Sequence, residues 1–138
     1  MKRTAKAHWS GNLKEGKGAL TTQSGILDNT NYSFKARFEE GEKGTNPEEL
    51  LAAAHAGCFT MSVAGILTKK GFNPTSLDTE ATVSMEELII TGVHLSITGS
   101  VKGLNAEEFK AITIDAEKNC PVSKALSISI SSDAHFVA

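Results

Sequence analysis

The sequence predicts an α+β domain, in which two small antiparallel sheets surround one long buried helix, and three observations lead to this prediction. Short segments of alternating or β-branched residues occur before and after the middle of the chain. Between them, residues 50–67 form a run of eighteen uncharged residues that is apolar on every side. The length of 138 residues, 40% hydrophobic and 22% charged, fits a single domain over 1–138 with a substantial core.

The first part of the chain is predicted to form three short strands, at 3–9, 17–22 and 31–38. They are separated by the turn-rich stretches SGNLKEG and QSGILDNT, whose glycine, asparagine and serine residues favour turns. A charged loop at 39–45 follows the third strand. This order predicts one small antiparallel sheet ahead of the long apolar segment.

The long helix has clear start and stop signals in the sequence. Asn46 is a favourable N-cap, Pro47 fits the first helical position, and Glu49 completes a capping-box pattern. The helix is predicted to run to about Lys70 and to end at Gly71, because glycine readily adopts the left-handed conformation that terminates helices.

The second half of the chain predicts a hairpin, two helical segments and a last strand. Residues 76–87 and 89–102 form the hairpin, and 105–119 form an amphipathic helix that opens with a cap pattern. A short helical segment, 121–126, precedes a final strand at 127–136. The hairpin and the final strand predict a second small sheet.

Composition excludes several functional classes. Fourteen basic and sixteen acidic residues give a net charge of −2, so nucleic acid and anionic membrane surfaces are not expected partners. The polar start, MKRTAKAHWSGNLKEGKG, lacks the apolar region of a secretory signal. Two cysteines are too few for a disulfide framework. We therefore expect a cytoplasmic protein, in a compartment where structural disulfides are rare.

The run at 50–67 has three interpretations: a membrane span, a core helix, or the housing of a reactive cysteine. Its length reaches the usual threshold for a spanning helix. However, it contains His55, Thr60 and Ser62 and has no flanking aromatic belt. A helix that is apolar on all sides is otherwise buried on all sides, and the core interpretation is favoured.

The rest of the chain is too small to cover such a helix on both sides. A second copy of the helix would supply the missing cover, and its small residues would allow close approach, which predicts a homodimer. Two faces are available for this packing: one of Leu51, Ala54, Cys58, Met61 and Gly65, and another of Leu50, Ala53, Gly57, Ala64 and Leu67.

The two cysteines allow a redox couple or inert packing. A helical cysteine such as Cys58 is commonly a small hydrophobe. Cys120 precedes Pro121 at a predicted helix N-terminus, where exposed N–H groups stabilise a thiolate. Residue types and spacing leave both alternatives open.

A metal site is a further alternative. It would use His55 and Cys58, three residues apart on one helix, with Cys120 and either His94 or His135. No CxxC or HxxxH pair frames these ligands, so we expect no metal and treat His55 as a packing or hydrogen-bonding residue.

A thiolate in the middle of a helix needs a nearby cation, because the helix dipole does not help it there. Arg37 ends the third predicted strand, and Glu48 in the first turn of the helix could hold its guanidinium in a bidentate pair. Ten residues of helix span about 15 Å, so Glu48 cannot contact Cys58 of its own helix. If both serve one site, the glutamate comes from another subunit.

Two segments together resemble a known family. ARFEEGEKGTNPEELLAAAHAGCF at 36–59 and NCPVSKAL at 119–126 closely resemble the OsmC/Ohr family of thiol peroxidases, and the OsmC branch in particular. The likeness includes AHWSGNLKEGKG near the start and extends over nearly the whole chain. It implies an intertwined homodimer and reduction of hydroperoxides without metal, haem, flavin or other cofactor.

The resemblance also implies roles for four residues. Cys58 matches the peroxidatic thiol and Cys120 the resolving thiol. Arg37 matches the arginine that activates the thiolate, and Glu48 matches the glutamate that orients this arginine. In the family, arginine and glutamate reach the cysteine from the partner chain.

The implied reaction begins with attack of the Cys58 thiolate on a hydroperoxide and continues with disulfide formation with Cys120. An external dithiol, with a lipoyl-type group as one candidate, then restores both thiols. The apolar surroundings of Cys58, with Phe59 and Met61 among the expected lining residues, favour an organic hydroperoxide over hydrogen peroxide. The alternative is a non-catalytic stress protein that binds a small apolar ligand between its helices.

Overall fold

A computed structural model of the chain describes residues 1–137 and contains two compact units, residues 1–50 and the residues from Leu51 onward. The first unit contains β1 (Ala5–Ser10), β2 (Lys17–Thr22), β3 (Thr30–Tyr32), α1 (Phe34–Phe38) and the first turn of α2 (Pro47–Lys69). The second contains the rest of α2, then β4 (Pro74–Glu86), β5 (Ile89–Val101), α3 (Ala106–Asn119), α4 (Pro121–Ala125) and β6 (Ser129–Val137). The predicted α+β class is confirmed.

The sheet of the first unit is antiparallel, in the order β1-β2-β3, as predicted. The rings of Trp9 on β1 and Tyr32 on β3 contact each other across the middle strand, with centroids 5.6 Å apart and planes tilted by 59°. Gly18 lies between them, and a Cβ at this position would stand 2.4 Å from the Tyr32 ring. The absence of a side chain at Gly18 therefore allows the two rings to meet.

The third predicted strand is shorter than expected. β3 ends at Tyr32, and the chain then forms α1, so Arg37 lies on a helix and the prediction of a strand to Phe38 is wrong. The cause is local, because the Ser33 hydroxyl accepts a hydrogen bond from the Ala36 backbone N–H at 3.0 Å and caps the helix.

The start and end of α2 follow the sequence signals. The Glu49 backbone N–H donates to Asn46 Oδ1 at 2.7 Å, which confirms Asn46 as the cap. The Glu49 carboxylate accepts from the Thr45 hydroxyl at 2.9 Å and not from the Asn46 backbone N–H, so the predicted capping box is only half formed among the described residues. At the other end, Gly71 has φ +86° and Phe72 N–H donates to Leu67 O at 2.9 Å. This is a Schellman motif, in which glycine is favoured by its left-handed conformation.

The second sheet has the order β4-β5-β6 and is mixed. β4 and β5 form the predicted antiparallel hairpin, but β6 runs parallel to β5, with Ile97 opposite Ala134. The prediction of an antiparallel sheet is therefore wrong for this strand. The segment between β5 and β6 contains α3 and α4, and a helical crossover of this length returns the chain in the parallel direction.

The core of the second unit is formed by one side of α2 together with β5 and α3. Its fully buried apolar side chains include Phe59, Val63, Leu67, Leu95, Ile97 and Phe109. Gly99 on β5 makes room for the Phe109 ring, because a Cβ there would lie 2.3 Å from it. This packing places the middle of α2 against the sheet.

The other side of α2 is not covered within a single chain. Met61 is 77% exposed, and a Cβ added at Gly57 or Gly65 would meet nothing within 4 Å. The helix predicted to be buried all round is thus buried along one side only. Its length of 23 residues and mean hydropathy of 1.7 would allow it to cross a membrane, and 22% of that apolar window is buried.

Candidate active site

Two thiols lie near each other in the second unit. Cys58 is half-buried in the middle of α2, while Cys120 is 1% exposed and stands where α3 ends and α4 begins. The Cys120 thiol is close enough to Cys58 to alter its ionisation. Pro121 opens α4, so Cys120 occupies the predicted position at a helix N-terminus.

The Cys58 thiol is not activated by its surroundings in the single chain. Burial raises the pKa of Cys58 above its usual value, and the neighbouring Cys120 raises it further, whereas a hydrogen bond from the Val122 backbone N–H lowers it. Among the described residues, none of the groups that act on Cys58 is a cation. A reactive thiolate here requires positive charge from another source.

The surroundings of Cys58 differ from the expected apolar lining. Phe59 is fully buried in the core and cannot line an accessible pocket, so this part of the prediction is wrong. Its position follows from helical geometry, because residues 59, 63 and 67 recur at intervals of four and share the buried side of α2. Met61 lies on the opposite side of α2 and is exposed, so its side chain is accessible to a ligand or to a second chain.

The second cysteine is hydrogen-bonded to a buried polar pair. Ser123 Oγ lies 3.0 Å from Cys120 Sγ, and the Ser123 backbone N–H also donates to this sulfur at 3.4 Å. His55 Nε2 lies 2.7 Å from the same Ser123 oxygen. His55 is fully buried, and burial lowers the pKa of its imidazole. The expected packing and hydrogen-bonding role of His55 is therefore confirmed.

The two charged candidates pair with each other in the first unit. Arg37 Nε donates to both Glu48 oxygens, at 3.0 and 3.2 Å, and Arg37 Nη2 donates to Oε1 at 2.6 Å. Burial acts to raise the pKa of Glu48, but hydrogen bonds and charge from Arg37 outweigh it and hold that pKa below its ordinary value. The predicted bidentate pair is present, and Glu48 is an ionised carboxylate at neutral pH.

The structure thus forms two pairs, Cys58 with Cys120 and Arg37 with Glu48. Glu48 and Cys58 lie ten residues apart on α2, which is about 15 Å along the helix axis. A direct contact between them within one helix is excluded by this distance.

The residues of the metal interpretation do not converge. Two of its histidines instead contact one carboxylate on the second sheet: His94 Nε2 lies 2.6 Å and His135 Nε2 2.8 Å from Asp133. Over residues 1–137, no group of three or more His, Cys, Asp or Glu side chains is arranged to hold a metal ion.

Sequence reasoning missed Ser123 and Val122 as parts of the site. The spacing of Ser123, three residues after an N-cap cysteine, does signal a local contact with Cys120. The contact between Ser123 and His55, which are 68 residues apart, depends on tertiary packing and has no signal in the sequence.

Comparison with known proteins agrees with this architecture. The model of the OsmC family, described as OsmC-like protein, matches residues 40–133. The chain is 47% identical over 131 residues to Peroxiredoxin OsmC of Escherichia coli K12, covering 92% of this chain and 91% of the relative. It is 30% identical over 111 residues to the organic hydroperoxide resistance protein OhrB of Bacillus subtilis, covering 78% and 80% of the two chains.

Solved structures show the same fold. The crystal structure of an organic hydroperoxide resistance protein OsmC from Legionella pneumophila superposes with a TM-score of 0.69 at 24% identity, and covers 100% of this chain and 98% of that one. Fold, family match and relatives agree, and the chain belongs to the OsmC family of proteins.

Proposed function

We propose that this protein is a thiol peroxidase that reduces organic hydroperoxides, with Cys58 as the attacking thiol and Cys120 as the resolving thiol. The observation on which the proposal depends is the proximity of the two free thiols, one half-exposed on α2 and one buried at the start of α4. The names of the relatives, a peroxiredoxin and an organic hydroperoxide resistance protein, support the same reaction and substrate class.

The reaction uses two steps at sulfur. The Cys58 thiolate attacks the terminal oxygen of the hydroperoxide, the O–O bond breaks, and the alkoxide leaves as the alcohol after taking a proton. Cys58 is then a sulfenic acid. Attack by Cys120 sulfur forms the disulfide, and the hydroxyl group of the sulfenic acid leaves as water.

Activation of Cys58 requires a cation, because burial raises its pKa in the single chain. Arg37 is the proposed cation, and its pairing with Glu48 fixes the direction of its guanidinium. Since Glu48 stands about 15 Å along the helix from Cys58 of its own chain, we propose that the Arg37–Glu48 pair of a second subunit serves each Cys58.

The exposed side of α2 supports the proposed homodimer. Met61, Gly57 and Gly65 leave an apolar, closely approachable surface on a helix whose other side is buried in the core. Apolar surface of this kind is stabilised by burial, at about 25 cal/mol per Å². A second copy of the helix would bury the exposed surface and bring two chains together at the level of Cys58.

Regeneration is proposed to use an external dithiol, with a lipoyl-type dithiol as the candidate, in the reducing cytoplasm. A dithiol can attack the Cys58–Cys120 disulfide, form a mixed disulfide and then close its own ring. This step consumes one dithiol for each hydroperoxide reduced.

The test is a consumption assay with tert-butyl hydroperoxide and a series of dithiols, including dihydrolipoamide. Wild-type protein should consume peroxide continuously, while the same protein without dithiol should consume one equivalent per thiol pair. The absence of any consumption, together with tight binding of an apolar dye to the protein, would instead favour the ligand-binding alternative.

A further inference from the structure

A hydrogen-bonded line of three side chains runs through the core of the second unit. His55 Nε2 lies 2.7 Å from Ser123 Oγ, which in turn lies 3.0 Å from Cys120 Sγ. The three residues are 0%, 8% and 1% exposed, so water does not replace these contacts. The line ends on the thiol that is proposed to close the disulfide.

The His55 imidazole, at the end of this line away from Cys120, has an unusual hydrogen-bonding state. Buried polar atoms in proteins are nearly always hydrogen-bonded, yet the second ring nitrogen of His55, Nδ1, is buried without a partner among residues 1–137. Ser123 is thus the polar contact of this imidazole. An apolar side chain of similar size would fill the same space without leaving a buried polar atom unsatisfied, so packing alone does not account for a histidine here.

Hydrogen bonding at the Cys120 sulfur also indicates that the Ser123 hydroxyl has a role beyond packing. The Ser123 backbone N–H already donates to Cys120 Sγ, so Cys120 caps α4 without help from the Ser123 hydroxyl. The hydroxyl adds a group that can accept a proton from the thiol and donate one to the imidazole. Burial also lowers the pKa of His55, which keeps the ring neutral and able to accept a proton at neutral pH.

We propose that Ser123 transfers the proton of the Cys120 thiol to His55 while the disulfide closes, so that Ser123 contacts the reacting sulfur and His55 acts through Ser123 as the proton acceptor of the resolving step. This inference depends on the proposed peroxidase function, because it concerns the second half of that reaction. It assigns roles to two residues outside the Cys58, Cys120, Arg37 and Glu48 set.

The step balances in atoms and charge. The Cys120 S–H proton moves to Ser123 Oγ while the Ser123 hydroxyl proton moves to His55 Nε2, and the released electron pair on sulfur attacks the Cys58 sulfenic sulfur. The new S–S bond forms as the S–O bond breaks. The departing hydroxide takes a proton from solvent or, through Ser123, from the imidazolium, and leaves as water.

This proton relay, from Cys120 through Ser123 to His55, acts only on the second step of the reaction, the closure of the disulfide. Cys58 receives its hydrogen bond from the Val122 backbone and is half-exposed, whereas Ser123 and His55 contact Cys120 and each other. Variants of the relay should therefore slow disulfide closure without slowing attack on the peroxide. This difference separates the relay from the peroxidase function on which it depends.

The experiment is a single turnover, in which reduced protein is mixed with one equivalent of tert-butyl hydroperoxide and no dithiol. Peroxide loss measures the first step, and mass spectrometry after rapid alkylation, with dimedone to trap sulfenic acid, measures closure. The variants are Ser123→Ala, Ser123→Thr and His55→Gln. Glutamine can keep a hydrogen bond to Ser123 but is not a base.

We expect Ser123→Ala and His55→Gln to leave the rate of peroxide loss within about twofold and to slow closure about tenfold to a hundredfold, at or below the usual range for general base catalysis. Ser123→Thr retains the hydroxyl and should restore most of the closure rate. The control Thr113→Val removes another buried hydroxyl, which bonds to Phe109 O of its own helix, and should change neither step.

Wild-type closure rates in Ser123→Ala or in His55→Gln would overturn the relay. The same conclusion follows if threonine closes as slowly as alanine, because shape and not the hydroxyl would then decide the rate. If Ser123→Ala fails to fold, the comparison of His55→Gln with Thr113→Val decides the question. Failure of the wild-type protein to lose peroxide would reject the proposed function in a separate measurement.

Discussion

Arg37 and Glu48 hold each other through three hydrogen bonds, two from Arg37 Nε and one of 2.6 Å from Nη2. The Arg37 side chain also lies over the Phe38 ring, with its guanidinium carbon 5.3 Å from the ring centroid. The guanidinium is therefore oriented within a single chain. Because arginine loses less conformational freedom when it is ordered in advance, the pair is well suited to present charge to a second molecule.

The first prediction tests the orientation of Arg37. Glu48→Gln should slow peroxide attack by Cys58 about tenfold to a hundredfold, because a neutral amide can accept only part of the bidentate pair and the guanidinium loses its fixed direction. The second-order rate with tert-butyl hydroperoxide is the measurement. Glu49→Gln is the matched control, since Glu49 contacts Thr45 and should leave the rate unchanged. Equal losses in both variants would contradict the assignment.

A second prediction concerns the two thiols. Cys58→Ser should abolish turnover, because no other nucleophile takes the peroxide oxygen. Cys120→Ser should consume about one equivalent of peroxide and then stop as a sulfenic acid unless an external thiol resolves it. Mass spectrometry after one addition of peroxide distinguishes the two states. Peroxide turnover by Cys58→Ser, or a Cys120→Ser variant that consumes no peroxide at the first addition, would contradict this assignment.

Local chemistry explains what was predictable. Four predicted features depend only on residues close together in the sequence, and each is present in the structure: the cap at Asn46, the stop at Gly71, the cap at Cys120 and the β4–β5 hairpin. The other element types were predicted on the same basis, with the exception of α1. These features need no knowledge of what packs against them.

Long-range geometry explains what was missed. The direction of β6 is set by the crossover through α3 and α4, and periodicity in a strand contains no information about direction. The turn into α1 depends on one serine side chain, Ser33, that competes with the strand for backbone hydrogen bonds. The contact between His55 and Ser123 joins residues far apart in the sequence and appears only after folding.

The third prediction concerns stability and pH. Hydrogen bonds from Ser96 and then His94 lower the pKa of Asp133, with a further contribution from His135. A carboxyl whose pKa is lower in the folded state stabilises the protein above its unfolded pKa of about 3.9, and this stabilisation is lost as the pH falls through the folded pKa. Asp133→Asn should therefore lower the free energy of unfolding at pH 7 by at most about 1 kcal/mol, since the Asp133 side chain is 44% exposed and solvent screens its charge.

The measurement is urea unfolding at pH 7 and again near pH 3. The difference between wild type and Asp133→Asn should shrink at the lower pH, because the stabilisation from the ionised carboxyl declines as the pH falls below the unfolded pKa towards the lower folded pKa. Asp78→Asn, at an exposed position on β4 of the same sheet, is the control and should be close to wild type at both values. A difference for Asp133→Asn that stays constant with pH would show that charge is not its cause.

The fourth prediction concerns the hairpin turn between β4 and β5. Glu87 and Leu88 form its two-residue loop with φ of +49° and +65°, the left-handed conformation of a type I′ turn. Leucine is strained there by about 1–2 kcal/mol, and glycine is not. Leu88→Gly should raise the free energy of unfolding by about 1 kcal/mol. Leu88→Ala removes the same exposed side chain but keeps the strain, so a gain as large as that of glycine would refute the argument.

The last prediction tests whether one active site is built from two chains. Glu48 stands about 15 Å along the helix from Cys58 of its own chain, so in the proposed homodimer we expect it to serve the cysteine of the other copy. Glu48→Ala and Cys58→Ser homodimers should each be inactive, for different reasons. A mixed dimer contains one intact Cys58 and one intact Glu48 on opposite chains, and these should combine into one working site.

The two variants, with different tags, are refolded together, the hybrid is isolated by both tags, and peroxide reduction is measured. Because a two-fold dimer has two equivalent sites, the hybrid should recover about half of the wild-type activity. A hybrid as inactive as its parents would mean that Glu48 acts within its own chain or has no part in the reaction.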